Sequence, residues 1–275
     1  IDPTALVQDD FLMVVHRPTR ILFRRVALRL RHATTPRVPM IPRFVSRTAC
    51  ALLSHTAAMF AEGATHWPAW RGPLGTGITA ETNLPVKWST TENVRWRLPL
   101  PEPGNSTPIV WDSRIFLTQP IGNKRTLLCL DRSAGRTLWQ HAVTTQLADD
   151  PPHQTNPYCS SSPVTDGERV IVWHGSDGLH CYDLDGKKLW SRNLGVQLHI
   201  WGYGSSPAIH GDLCFLNFGP GVRNFLLAVD KRTGRTLWQH NEEIGYGRAA
   251  PPDVRGDKNA QNVTYIGSWT TPVIK

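Results

Sequence analysis

Residues 181–190 read CYDLDGKKLW, and the same pattern stands twice more, as CLDRSAGRTLW over residues 129–139 and AVDKRTGRTLW over residues 228–238. In each copy an apolar run ends in an aspartate: Asp131, Asp183 or Asp230. A glycine follows three or four residues later (Gly135, Gly186, Gly234), and four residues beyond it stands a tryptophan (Trp139, Trp190, Trp238). This is hairpin chemistry. The aspartate side chain caps a tight turn through nearby backbone, glycine supplies a positive φ, and the flanking residues are strand formers.

A second signal precedes each hairpin. It reads NSTPIVW (residues 105–111), SSSPVT (160–165), GSSPAI (204–209) and SWTTPVI (268–274), and after the first three comes a turn and another apolar run, RIFLT, RVIVW or LCFLN. Each unit therefore holds four short strands. A self-similar period of roughly 40 to 60 residues with four strands per unit is the sequence form of a β-propeller blade. The runs are short, rich in Val, Ile, Leu and aromatics, and punctuated by Gly and Pro, which excludes helices as the main element. The expectation is an all-β chain: a β-propeller of four-stranded antiparallel blades over residues 93–275, three blades plus one strand of a fourth, with the ring incomplete.

The formal charge of +8 is concentrated at the start, where residues 1–61 hold nine Arg against three Asp. The rest of the chain is nearly balanced, which argues against a nucleic-acid-binding body. With 22 Gly, 22 Pro and 11 Trp, the composition suits a large all-β domain. From Met40 the chain reads MIPRFVSRTACALLSHTAAMFAEG, two arginines followed by a small and apolar stretch. Residues 40–61 are expected to be a secretory signal peptide, too short and too interrupted to cross a bilayer permanently, so the protein is expected to be exported, periplasmic or extracellular, without a transmembrane span. Residues 1–39 read as a disordered, non-native extension upstream of Met40 as the true start.

Residues 62–92 form an N-terminal arm containing HWPAWRGPLGTGIT, and VKWSTTENVRWRLPL over residues 86–100 reads as one strand without preceding partners. In a closed propeller such a strand completes the last blade and removes free sheet edges.

The SSPV strand, the Asp-to-Gly hairpin and the following tryptophan resemble the repeats of the pyrroloquinoline-quinone-type (PQQ-like) β-propellers. That superfamily includes quinoprotein alcohol dehydrogenases and a non-enzymatic propeller lipoprotein of the outer-membrane β-barrel assembly machinery. WPAWRGP also resembles a secreted PQQ-like subfamily that mostly lacks an assigned activity. The match covers about residues 66–275. It implies seven or eight blades, hence a fragment of a longer propeller, and it implies that Trp139, Trp190 and Trp238 dock between neighbouring blades.

Insertions collect between the hairpin tryptophan and the next strand proline, at spacings of 24, 17 and 34 residues. In a propeller those connections share one end, and binding sites live on such loops. The residues there, and in the neighbouring loops between second and third strands, are polar and aromatic, and the candidates for a bound small molecule or peptide are His153, Asn156, Tyr158, His199, Trp201, Tyr203, Arg223 and Trp269. The bland alternative is that they lock long loops onto the rim.

No zinc-protease, paired Cys, nucleophile-elbow or phosphate-loop motif is present in the sequence, so no catalytic residue and no metal ligand is assigned. Cys129 and Cys181 share one slot of the repeat and read as small buried hydrophobes. The favoured function is an exported binding or interaction scaffold whose partner is an envelope protein, peptide or carbohydrate. The alternative, from the resemblance alone, is a dehydrogenase for alcohols or sugars using PQQ and calcium. Quinoproteins of that kind carry a disulfide between adjacent cysteines, and this chain has no adjacent pair.

Overall fold

The computed structural model describes residues 66–145 apart from 83, residue 153, and residues 155–199, 201–221, 223–241 and 267–274. The expectations for residues 1–39, for the signal-like stretch 40–61 and for residues 62–65 of the arm lie outside the described residues.

Among the described residues twelve strands form three antiparallel sheets, each a four-stranded meander in chain order. The first holds β1 (Ile109–Trp111), β2 (Arg114–Ile121), β3 (Lys124–Asp131) and β4 (Thr137–Thr144). The second holds β5 (Val164–Thr165), β6 (Arg169–Trp173), β7 (Leu179–Asp183) and β8 (Lys188–Arg192). The third holds β9 (Ala208–His210), β10 (Leu213–Phe218), β11 (Phe225–Asp230) and β12 (Thr236–Asn241). β5 lies beside β1 on one side and β9 on the other, so the first strand of every sheet is innermost. The result is an open arc of three propeller blades.

The three hairpins repeat one local design. Asp131 Oδ1 accepts the amides of Ser133 and Ala134, Asp183 Oδ1 those of Asp185 and Lys187, and Asp230 Oδ1 those of Arg232 and Thr233. In each last strand the register then slips by one: Cys129 faces Trp139, Cys181 faces Trp190 and Ala228 faces Trp238, leaving Leu138, Leu189 and Leu237 as bulge residues. A bulge re-aims the side chain beside it. Here it puts each tryptophan in phase with the face that meets the following blade.

What waits on the next blade is a glycine. The Trp139 ring lies over Gly186 and the Trp190 ring over Gly234, both at positive φ, and a Cβ at either position would run into the indole. Each indole N–H also donates to a turn carbonyl, Trp139 to Leu184 at 3.1 Å and Trp190 to Lys231 at 3.0 Å. The apolar seams lie beneath these seats. Ile109, Phe116, Leu127 and Cys129 meet Val170, Val172 and Tyr182 between the first two blades. Ile171, Trp173, Leu179 and Cys181 meet Cys214, Leu216, Phe218 and Leu227 between the second and third.

Two tryptophans depart from the expected pattern. Residues 86–100 make no sheet ladder, yet Trp96 covers Gly135, donates to Arg132 O at 2.9 Å, and with Leu98 and Leu100 caps Ile115, Leu117, Leu128 and Leu130. The leading segment thus brings to the glycine seat of the first blade the tryptophan that a preceding blade would supply. Among the described residues Trp238 meets no such glycine, and it remains 42% exposed.

The residue before each strand proline also has a physical role. The amide of Thr107 donates to Ser162 Oγ at 2.9 Å, that of Ser162 to Ser206 Oγ at 2.9 Å, and that of Ser206 to Thr271 Oγ1 at 3.0 Å. One hydroxyl per unit therefore satisfies the backbone of the unit before it, around the axis. Ser162→Ala should leave the Thr107 amide unpaired and lower stability by about 1 to 3 kcal/mol, with Ser162→Thr milder, as read by urea unfolding. Trp190→Ala should cost about 3 to 5 kcal/mol, while Trp238→Ala should stay within about 0.5 kcal/mol. Equal losses at the two tryptophans would refute the seat assignment.

Candidate functional site at the connector end

The turns after the first and third strands of a blade share one end, where Arg132 N bonds Ser113 O and Lys231 N bonds Asp212 O. The long connectors and the turns after the second strands share the other. Thr145 N bonds Asn123 O, and the Gln197 amide nitrogen donates to Pro220 O. All eight candidate residues stand at this connector end.

Asn156 holds the connectors together. Its Nδ2 donates to the carbonyls of Trp201 and Tyr203, and its Oδ1 accepts from Asn105 Nδ2 at 3.4 Å and from Ser160 Oγ at 2.6 Å. The next connector is tied in turn, because Trp269 Nε1 donates to Gly202 O at 3.1 Å. Tyr158 packs under Arg125, whose guanidinium lies 3.6 Å from the ring centre. Tyr203 is buried, with its ring 4.9 Å from that of Trp173 and against Gly175. Arg223 donates to Leu194 O at 3.0 Å and lies over Phe218 and Phe225. These four side chains are structural.

The other four form one aromatic group. Buried His199 accepts the Trp201 amide on Nδ1 and meets Trp269 edge-on at 5.0 Å between ring centres. Trp201 and Trp269 are 5.9 Å apart at a 32° tilt, and His153 meets Trp201 edge-on at 6.4 Å. Trp201 is 50% exposed and Trp269 38% exposed, although their backbones are tied down. Fixed, half-open indole faces can stack against an apolar or planar ring of a ligand.

Two further features escaped the sequence reading. Between the arm and the inner strands, at the turn end, lies a cavity of about 470 Å³ lined by Trp70, Arg71, Trp111, Asp166, Ile209 and Val273, among others. Residues 66–72 reach it because Trp67 pairs with Val110 and the Thr165 amide donates to Pro68 O. Only the tryptophans of WPAWRGP marked this arm in the sequence. The second feature is a buried polar group at the first seam, built on His174 and His180.

Among the described residues no group of three or more His, Cys, Asp or Glu could hold a metal ion. Burial pushes the Cys129, Cys159 and Cys181 thiols up to about 12, and the Cys214 thiol up as well. None of the four is disulfide-bonded.

A family described as the outer membrane protein assembly factor BamB, of PQQ type, matches residues 75–149. That span covers the leading tryptophan and the whole first blade, whose hairpin recurs in the other two. Residues 75–149 are thus similar to PQQ-like propeller repeats. Solved structures with similar folds include the quinohemoprotein alcohol dehydrogenase of Comamonas testosteroni, at 16% identity and a TM-score of 0.49, covering 67% of this chain and 28% of that one. Another is the quinohemoprotein alcohol dehydrogenase ADHIIG of Pseudomonas putida HK5, at 23% identity and a TM-score of 0.39, covering 58% of this chain and 23% of that one. BamB of Moraxella catarrhalis is similar at 15% identity and a TM-score of 0.38, covering 57% of each chain. The chain thus spans about a quarter of the two dehydrogenases and just over half of BamB. No curated protein matches. No helix among the described residues is long and apolar enough to cross a membrane.

Neutral, buried thiols are poor nucleophiles. At about pH 8 a thiol reagent should leave Cys129, Cys159, Cys181 and Cys214 unlabelled in the native blades and label all four in denaturant, as read by peptide mass spectrometry. Rapid native labelling at any of the four would contradict their burial.

Proposed function

We propose that this chain is an exported PQQ-like propeller acting as an interaction scaffold, with its ligand held at the connector end on Trp201 and Trp269. The observation that carries the reading is the contrast within one site. Asn156, Tyr158, Tyr203 and Arg223 are spent on fixing the connectors, whereas the two indoles stay half-open on the rigid frame so made. Preorganised aromatic rings are what recognition surfaces use to gain area at low entropic cost. The description of the matching family as an assembly factor supports a binding role, and the signal-like residues 40–61 support export. The fitting partners are an envelope protein, a peptide or a carbohydrate.

The competing reading, a PQQ- and calcium-dependent dehydrogenase, rests on the resemblance alone. The test is a panel of a proline-rich peptide, a neutral oligosaccharide, and PQQ with Ca²⁺, titrated against intrinsic tryptophan fluorescence. A scaffold ligand should lose roughly 30-fold in affinity, about 2 kcal/mol, on Trp201→Ala with the unfolding curve unchanged, and at least as much on Trp269→Ala, which also removes the tie to Gly202. Binding indifferent to both substitutions would remove the site. A quinone absorbance band with dye-coupled oxidation of alcohols would replace the scaffold with the enzyme.

A further inference from the structure

The pleat of the second blade sends alternate residues to opposite seams. Ile171 and Trp173 face the third blade, so Val170, Val172 and then His174 face the first; on the neighbouring strand His180 and Tyr182 do the same. Two imidazoles thereby enter the seam at its connector end, on either side of the helical turn Gly175–Asp177. Their ring centres are 5.6 Å apart. His174 is fully buried, and neither of its nitrogens has a hydrogen-bond partner. His180 Nε2 lies 2.8 Å from the Asp177 carbonyl, so it carries the proton, while its buried Nδ1 has no partner.

Among the described residues no carboxylate is bonded to either ring. Arg125 faces His174 from β3, fixed over Tyr158, and the Asp177 carboxylate is engaged by the Thr145 hydroxyl at 2.7 Å. Lys188 acts on His180 from β8, His141 of β4 stacks on Tyr182 at 4.6 Å, and the Cys159 thiol lies within the field of Arg125, Asp177 and Glu102. A proton added to His174 would be a second cation beside Arg125, on a side chain closed off from the surface.

We propose that the seam between the first two blades is an acid-sensitive latch: protonation of His174 and His180 opens it and frees the connector that carries His153 and Asn156. The connector depends on this seam at both ends, through Thr145 on Asp177 and Tyr158 under Arg125. Asn156 in turn ties the carbonyls of Trp201 and Tyr203, so its release loosens the indole platform. The second step rests on the binding role proposed above; the first does not.

The direction follows from burial. Desolvation holds both imidazoles below their ordinary value near 6.5, most strongly at His174, so the folded seam keeps them neutral while the opened seam takes up protons. Above about pH 6.5 the two states bind protons equally and the latch is indifferent to pH. Below it, the opened population rises by up to about tenfold per pH unit for each histidine.

Hydrogen exchange of the full chain, corrected for intrinsic rates and followed from neutral to acid pH, tests this. The third blade, whose strands bury no histidine, is the internal reference. Residues 124–131 and 170–182 should open progressively below about pH 6.5 relative to residues 225–230, and residues 155–160 should open with them. Parallel behaviour of all three blades, or a flat seam, overturns the latch whether or not a ligand is ever found. Seam opening with residues 155–160 and Trp201 fluorescence unmoved overturns the coupling to the platform. His174→Gln should flatten the acid response of the seam; if that variant does not fold, the comparison within the unmodified chain still decides.

Discussion

A tryptophan set over a glycine of the next blade is the contact on which this arc depends. A blade has two apolar faces and cannot bury either alone, so stability comes from seams between blades. An indole offers roughly 150 to 250 Å² of apolar area, worth about 4 to 6 kcal/mol at full burial, but only if its N–H finds an acceptor. The hairpin supplies both needs: a glycine at positive φ, which lets the ring approach the backbone, and a carbonyl two or three residues earlier that takes the proton. The same Asp-to-Gly turn, four or five residues long, that closes one blade is thus the socket for its neighbour. Local folding and long-range packing select one sequence pattern, which is the consistency expected of a minimally frustrated repeat.

The fold was legible because of that double duty. Asp131, Asp183 and Asp230 cap turns in the structure as their spacing suggests, and the strands on either side follow from short apolar runs. The bulge at Leu138, Leu189 and Leu237 was not legible, since a one-residue register slip leaves no mark in composition. Nor was the seat of Trp96. Its segment reads as a strand by residue type, yet it makes no ladder and is held by its side chains and the Arg132 carbonyl.

The candidate site was legible in position but not in role. Spacing alone collected His153 to Trp269 at one end of the blades, because insertions in a propeller have only one place to go. Which of them face outward depends on hydrogen bonds across 45 to 67 residues of sequence, such as Asn156 to Trp201 and Trp269 to Gly202. No local pattern encodes those. Asn156 and Tyr203 carry as much chemistry on paper as Trp201, and only their partners reveal that they are spent on structure.

The two ends of the arc differ in what the axis offers a ligand. At the turn end the arm lies on the innermost strands, its Trp67 backbone paired to Val110 and its Pro68 carbonyl receiving the Thr165 amide. Inner-strand edges expose backbone groups that need partners, and the arm satisfies two blades at once while filling the space beside them. It leaves a cavity walled by its own residues. At the connector end the inner strands are satisfied differently, by the Ser162, Ser206 and Thr271 hydroxyls of successive units. Those bonds need no extra chain on the axis, so the connectors are free to fold over one another and raise Trp201 and Trp269 into solvent. An arm on one side and hydroxyls on the other resolve the same backbone demand, and the second solution leaves the indoles of Trp201 and Trp269 half-open on the connectors.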